Sequence, residues 1–90
     1  MLKLQLTKDA LKFLDVLPAK QFRQIISKVL ELLQNPLSHD SEQLTGYSFR
    51  RSDIGEYRII YDVQGDTLRL LVVGKRNYSD VYKKLRNKQG

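Results

Sequence analysis

Hydrophobic and polar positions divide the chain into stretches of two different periods. Leu2, Leu4 and Leu6 alternate with Lys3 and Gln5, the period-two pattern of a short strand with one buried face. At Thr7 the period lengthens. Threonine suits the N-cap, where its side-chain oxygen accepts a backbone N–H of the first turn. Ala10, Leu11, Leu14 and Leu17 then form an apolar stripe, with Lys8, Asp9, Lys12 and Asp15 on the wet side. Pro18 ends this helix near Leu17 and fits the first position of the next. In that second helix Phe22, Ile25, Ile26, Val29, Leu30 and Leu33 recur at three- and four-residue spacing. Gln21, Arg23, Gln24, Lys28, Glu31 and Gln34 take the opposite face, and Asn35-Pro36 is the stop. Two amphipathic helices with so short a joint predict a helical hairpin.

Residues 37–46 are polar and turn-forming, which predicts a loop. Three strands follow. Tyr47-Ser48-Phe49-Arg50-Arg51 alternates, with the aromatics inward and Ser48 and Arg50 outward, and residues 52–55 read as a turn. The strongest strand pattern runs from Glu56 to Val63, with Tyr57, Ile59, Tyr61 and Val63 on one face and Arg58, Ile60 and Asp62 on the other. Gln64-Gly65-Asp66 is a tight hairpin turn. Thr67 to Val73 carries Leu68, Leu70 and Val72 on one side and Leu71 and Val73 on the other, as an interior strand does. Beyond Gly74, Asn77 or Ser79 caps a short helix that turns Val81 and Leu85 to the core. The expected order is β-α-α-β-β-β-α. This is an α+β fold, one domain over residues 1–90, in which the helical hairpin covers one face of a small, mostly antiparallel sheet. On the partly open second face, Arg50, Arg58 and the Gly74-Lys75-Arg76 exit are expected to converge.

Composition narrows the partners. The chain of 90 residues has no cysteine, so disulfides and thiolate metal sites are excluded. No apolar run approaches the roughly 20 residues that span a bilayer, and the start Met1-Leu2-Lys3-Leu4 lacks a signal-peptide core. A cytoplasmic protein without membrane contact is expected. The net charge of +6 is unevenly spread. Residues 75–90 carry Lys75, Arg76, Lys83, Lys84, Arg86 and Lys88 against Asp80 alone, whereas the two signs nearly balance before them. A basic end of this kind favours a nucleic acid or an acidic protein as partner.

An arginine in the middle of the strongest strand needs a counter-charge. Arg58 either pairs with Asp62 or Glu56, or it faces a cleft that takes an anion. His39, the only histidine, sits beside Asp40 in a polar loop, where a solvated histidine is the expected reading. Arginines and tyrosines without a carboxylate dyad, metal ligands or a paired histidine do not support hydrolysis by the common routes. They suit phosphodiester chemistry on RNA, which brings its own nucleophile in the 2′-hydroxyl. Guanidiniums would neutralise the phosphate, and a tyrosine near cations would move protons. The same groups also bind phosphate without cleaving it, and spacing alone favours binding.

From Leu44-Thr-Gly-Tyr47 through Gly55-Glu-Tyr-Arg-Ile-Ile-Tyr-Asp-Val63 to Val73-Gly-Lys-Arg-Asn-Tyr-Ser-Asp-Val-Tyr82, the chain resembles the RelE branch of the RelE/ParE toxin superfamily, the small toxins of bacterial type II toxin–antitoxin systems. The resemblance implies a ribosome-dependent endoribonuclease, an mRNA interferase that needs no metal or cofactor. Such an enzyme cleaves mRNA in the ribosomal A site by 2′-hydroxyl attack. It implies catalytic roles for Arg50, Arg58, Arg76 and Tyr82, with Arg51, Lys75, Lys83, Lys84 and Arg86 as RNA contacts. It also implies an acidic, partly helical antitoxin as partner, through which alone operator DNA would be reached. One departure stands out: many family members place Lys or Arg where this chain has Ser48, and Arg51 should face away from Arg50 in a regular strand. Two other readings remain: a ParE-like toxin that binds DNA gyrase, and a non-catalytic relic kept for antitoxin binding.

Overall fold

The computed structural model describes residues 1–76. The element order is β1 (Lys3–Leu6), α1 (Lys8–Asp15), α2 (Ala19–Gln34), β2 (Ser41–Gln43), β3 (Arg50–Ile54), β4 (Tyr57–Gln64) and β5 (Thr67–Lys75). The five strands form one sheet in the order β1-β5-β4-β3-β2. It is antiparallel throughout except that β1 runs parallel to β5. The α+β class and the helical hairpin are as expected. The predicted terminal helix, with Val81 and Leu85, lies outside the described residues. Among the described residues no helix is long and apolar enough to cross a membrane.

The helices pack on one face of the sheet. Ala10 and Leu14 of α1 and Ile25, Val29, Leu32 and Leu33 of α2 bury themselves against Tyr57, Ile59, Tyr61, Leu68, Leu70 and Val73. Phe13 adds an edge-on ring contact to Tyr57, with centroids 6.0 Å apart. The α2 stripe is rotated from the expected one. Leu32 is fully buried, whereas Phe22 and Leu30 are exposed, and Lys28, expected on the wet face, is buried. Residues 25, 28, 29, 32 and 33 follow the three- and four-residue spacing as well as the purely apolar set does. Lys28 joins them because its ammonium has partners in Asp40 and Glu31. Asp40 also accepts from the Ser38 hydroxyl at 2.6 Å, and Ser41 donates to the Ser38 carbonyl at 2.8 Å. This polar seam orders residues 36–41, where a plain loop was expected, and leads into the additional strand β2. The Tyr61 hydroxyl, donating to the Pro36 carbonyl at 2.6 Å, fixes the other end of the same segment.

Three further corrections concern the strands. Leu4 and Leu6 pair with Leu68 and Leu70 and so share the helix-side face, yet both are exposed, because β1 is an edge strand that the helices do not cover. The β3 strand begins at Arg50, not Tyr47, and runs through Asp53 and Ile54, which were expected to turn. The real turn is Gly55-Glu56: Ile54 pairs with Tyr57, and Gly55 has φ 58°. Glu56 keeps a negative φ, so the hairpin follows the type II′ pattern with glycine first. Finally, β5 is not regular. Ile60 pairs with Val72 but Tyr61 with Leu70, leaving Leu71 as an extra residue, a β-bulge. Val73 therefore joins the helix-side core, while Leu71 and Val72 turn together to the second face. There they pack with Ile60 under Leu44, Tyr47 and Phe49. Tyr47 and Phe49, stacked at 6.0 Å, thus point to the face opposite the helices.

Thr7 ties the bulge to α1. Its hydroxyl accepts from the Ala10 N–H at 3.2 Å, as an N-cap should, and donates to the Leu71 carbonyl at 2.6 Å.

Two outcomes follow. Replacing Gly55 by alanine puts a side chain at a left-handed φ and should destabilise the protein by about 1–2 kcal/mol in chemical denaturation. Asp40→Asn should cost about 1 kcal/mol by removing the charged partner of a buried ammonium. The Lys28 hydrogen bond, followed by that of Ser38, holds the Asp40 carboxyl down from 3.8 to about 2. Its contribution is therefore complete above pH 3.8 and disappears as pH falls through about 2, and the gap between wild type and variant should close over that window.

Candidate functional site

The second face of the sheet carries the charged groups. In an antiparallel pair, residues directly opposite one another share a face. Asp53 pairs with Arg58, Arg51 with Ile60, and Asp62 with Arg69, so these side chains stand with Ile60 on the side away from the helices. Arg58 also pairs with Gly74 on β5. Just beyond, the Arg76 N–H bonds to the Glu56 carbonyl at 2.9 Å, which brings Arg76 back to the same corner.

The corner is built on Asp53. Arg58 grips it with two bonds, Nε to Oδ1 at 2.7 Å and Nη2 to Oδ2 at 3.0 Å. Arg51 reaches Asp53 Oδ2 with Nη1 at 3.5 Å and Glu42 Oε2 with Nη2 at 2.7 Å. The Asp53 carboxyl is held below its ordinary range, chiefly by the Arg58 hydrogen bond, with the charges of Arg58, Arg51 and Arg76 adding to the effect and burial opposing it. Beside this corner, Asp40, Glu42, Arg51 and Asp53 line a polar cleft of about 150 Å³. Farther along the same face, Arg69 takes Asp62 through bonds of 2.7 and 2.5 Å.

Several expected placements change accordingly. Arg58 pairs with neither Asp62 nor Glu56; its carboxylate is Asp53, directly across the hairpin. Arg50 does not join Arg58 and Arg76. It pairs in register with Tyr61 on the helix side, where Nη2 donates to the Ser41 hydroxyl at 2.8 Å and the Ser41 carbonyl at 3.2 Å. Arg51 occupies the position intended for Arg50, beside Ile60 on the second face. The strand simply continues in regular alternation past Ser52, so that Arg51 and Asp53 share a face. Lys75 is exposed but pairs with Tyr57, which places it on the helix-side face. Arg76 is exposed at the corner. Tyr82, Lys83, Lys84 and Arg86 lie outside the described residues. Asp53 was the residue that sequence reasoning missed. Its signal was the two-residue Gly55-Glu56 turn, which fixes Asp53 opposite Arg58.

Chemically, the corner can hold an anion between guanidiniums, provided the anion competes with Asp53. Among the described residues no group of three His, Cys, Asp or Glu side chains could hold a metal ion.

A family model described as the ParE toxin of type II toxin–antitoxin system, parDE, matches residues 4–78. No curated protein sequence matches. Among solved structures, the free-state E. coli toxin RelE carrying two arginine-to-alanine substitutions is 22% identical, with 97% of this chain and 96% of that chain covered and a TM-score of 0.82. The intact E. coli RelBE toxin–antitoxin complex is 23% identical over 83% of this chain and 96% of that chain, with a TM-score of 0.73. The RelB–RelE antitoxin–toxin complex from Methanococcus jannaschii reaches 28% identity over 88% of this chain and 95% of that chain, with a TM-score of 0.65.

The Asp53 carboxyl should titrate below 3.8 in a carbon-13 NMR pH series, and Arg58→Ala should move the midpoint upward, since the hydrogen bond that most favours the ionised form is then gone.

Proposed function

This chain belongs to the ParE-toxin family of the RelE/ParE superfamily and is a toxin of a type II toxin–antitoxin system with a RelE-like fold, and we propose that it stops translation by cutting mRNA in the ribosomal A site. The observation that carries this reading is the meeting of Arg58, Arg51 and Arg76 at one corner of the second face, drawn from three different stretches of chain. Cations fixed by separate strands cost little reorganisation when a phosphate arrives between them. The 2′-oxygen of the RNA attacks the scissile phosphorus as its P–O bond to the 5′-oxygen breaks. The 2′-proton is lost to a base, and the 5′-oxygen gains one on leaving. The products are a cyclic phosphate and a 5′-hydroxyl, and no metal is required. Arg58 and Arg76 neutralise the phosphate oxygens, Arg51 aligns the strand, and Tyr82 serves stacking or proton transfer. Arg50 has no part in it: it braces β2 against β3. Lys83, Lys84 and Arg86 contact phosphates of ribosomal RNA. The protein acts in the cytoplasm, where its substrate is, and a cognate acidic antitoxin silences it, as antitoxins accompany the RelE proteins in the solved complexes.

One observation favours a second reading, a ParE-like toxin that poisons DNA gyrase. Arg58 and Arg51 both rest on carboxylates, as they would in a protein that uses them to brace a hairpin. The two readings part in one experiment. Primer extension on translated mRNA should show new cuts when this chain is expressed, and Arg76→Ala should reduce them about 100-fold. Intact messages together with gyrase-dependent DNA breaks would establish the second reading instead.

A further inference from the structure

We infer that Asp53 is a built-in anion that occupies the phosphate position on Arg58, so that RNA must displace an internal carboxylate before the site can work. The inference rests on the proposed use of this corner for an RNA phosphate and adds a regulatory element to it.

Three features of the corner carry the inference. The first is geometry. Arg58 meets Asp53 in a fork, Nε and Nη2 each on its own oxygen at 2.7 and 3.0 Å, which is the paired-donor arrangement that a guanidinium also offers a phosphate. The second is convergence. Asp53 is bonded by Arg58, approached by Arg51 at 3.5 Å and lies in the field of Arg76, so a single carboxylate sits between two guanidiniums and close enough to a third to feel its charge. The third is access. The side chains of Asp53 and Arg58 are 27% and 15% exposed, and the polar cleft that Asp53 lines opens beside them, so an anion can reach the pair from solvent.

The fold adds a reason why the exchange is feasible. Asp53 lies two residues before the hairpin turn at Gly55, near the end of β3, and a side-chain rotation there disturbs no backbone pairing. Arg51, which also holds Glu42 at 2.7 Å, stays tethered while its bond to Asp53 breaks. An incoming phosphate takes over the fork, and Asp53 swings out to solvent. The carboxylate thus keeps Arg58 in its working orientation while empty and sets a threshold: a weakly bound anion cannot displace it, whereas an RNA strand anchored at several phosphates can.

The test compares full-length wild type with Asp53→Asn, which keeps the side-chain shape and removes the charge, and with Asp53→Ser as a second variant. Asp66→Asn, in the distant β4–β5 turn, controls for net charge. Inorganic phosphate is titrated while the Arg58 Nε–H signal is followed by NMR, and binding of a short single-stranded RNA is measured at the same ionic strength. Phosphate should bind Asp53→Asn about tenfold more tightly than wild type, and RNA should gain by a similar factor, since one charge-assisted fork is released. The gain should vanish in Asp53→Asn/Arg58→Ala. Equal phosphate affinity in wild type and in either Asp53 variant, or a gain no larger than that of Asp66→Asn, overturns the inference. So does loss of the folded spectrum in both Asp53 variants, which would make the pair a structural brace. The mRNA cuts are scored separately: a phosphate gain without any cuts sinks the nuclease reading and leaves this one standing, and cuts without a phosphate gain do the reverse.

Discussion

One extra residue in β5 sets the rest of the arrangement. With strict alternation, Leu68, Leu70, Val72 and Gly74 would face the helices, and Val73 would turn away. The bulge at Leu71 inverts the parity of the second half of the strand, so that Val73 fills the helix-side core while Gly74 stands beside Arg58. The bulge is held from outside by Thr7, whose hydroxyl caps α1 and takes up the Leu71 carbonyl. The atom that accepts from the first turn of α1 thus also donates to a backbone oxygen of the bulge. The entry of the helical layer and the exit of the last strand are thereby fixed to each other.

The two faces of the sheet solve the problem of burial differently. On the helix side the core is apolar except at its rim, where Lys28, Ser38, Ser41 and Arg50 form a polar seam beneath residues 36–41. Among the described residues, Arg50 Nε and the Ser52 hydroxyl beside this seam are buried without a hydrogen-bond partner. On the second face a small apolar patch of Ile60, Leu71 and Val72 is flanked by ion pairs on both sides, Arg58 with Asp53 and Arg69 with Asp62. Both pairs are cross-strand neighbours at opposite ends of the patch. Charged groups at that spacing lock the register of three strands, since a slip by one residue would leave each guanidinium facing apolar neighbours.

Much of this was legible in the sequence, because it rests on local rules. Thr7 caps as its residue type suggests, Tyr57, Ile59 and Tyr61 form the core face that their alternation indicates, and Gly65 turns the hairpin between β4 and β5. What was not legible depends on partners distant in sequence. Lys28 has the composition of a wet position, and its ion pair with Asp40 twelve residues later, added to the local one with Glu31, makes it a buried one. The choice between Arg50 and Arg51 as the residue beside Arg58 turned on which face Tyr47 and Phe49 take: read as facing the helical layer, they pack instead with Ile60 on the second face, so strict alternation puts Arg51, not Arg50, beside Arg58. The bulge left no mark on the alternation of residues 68–73, because every one of those positions except Arg69 is apolar and a shift of parity exchanges one aliphatic side chain for another. The family resemblance supplied the set of arginines but not their counter-ions.

The parallel pairing of β1 with β5 has a consequence for the life of the molecule. Leu4 finds its neighbour only at Leu68, across nearly the whole described chain. Contacts of such long range form last, since the loop between them must close first. As the polypeptide emerges from synthesis, its opening strand waits unsatisfied until the final strand arrives. Strand β5 also delivers Gly74 and Arg76 to Arg58. The arrival of one segment completes both the sheet's border and its cationic corner.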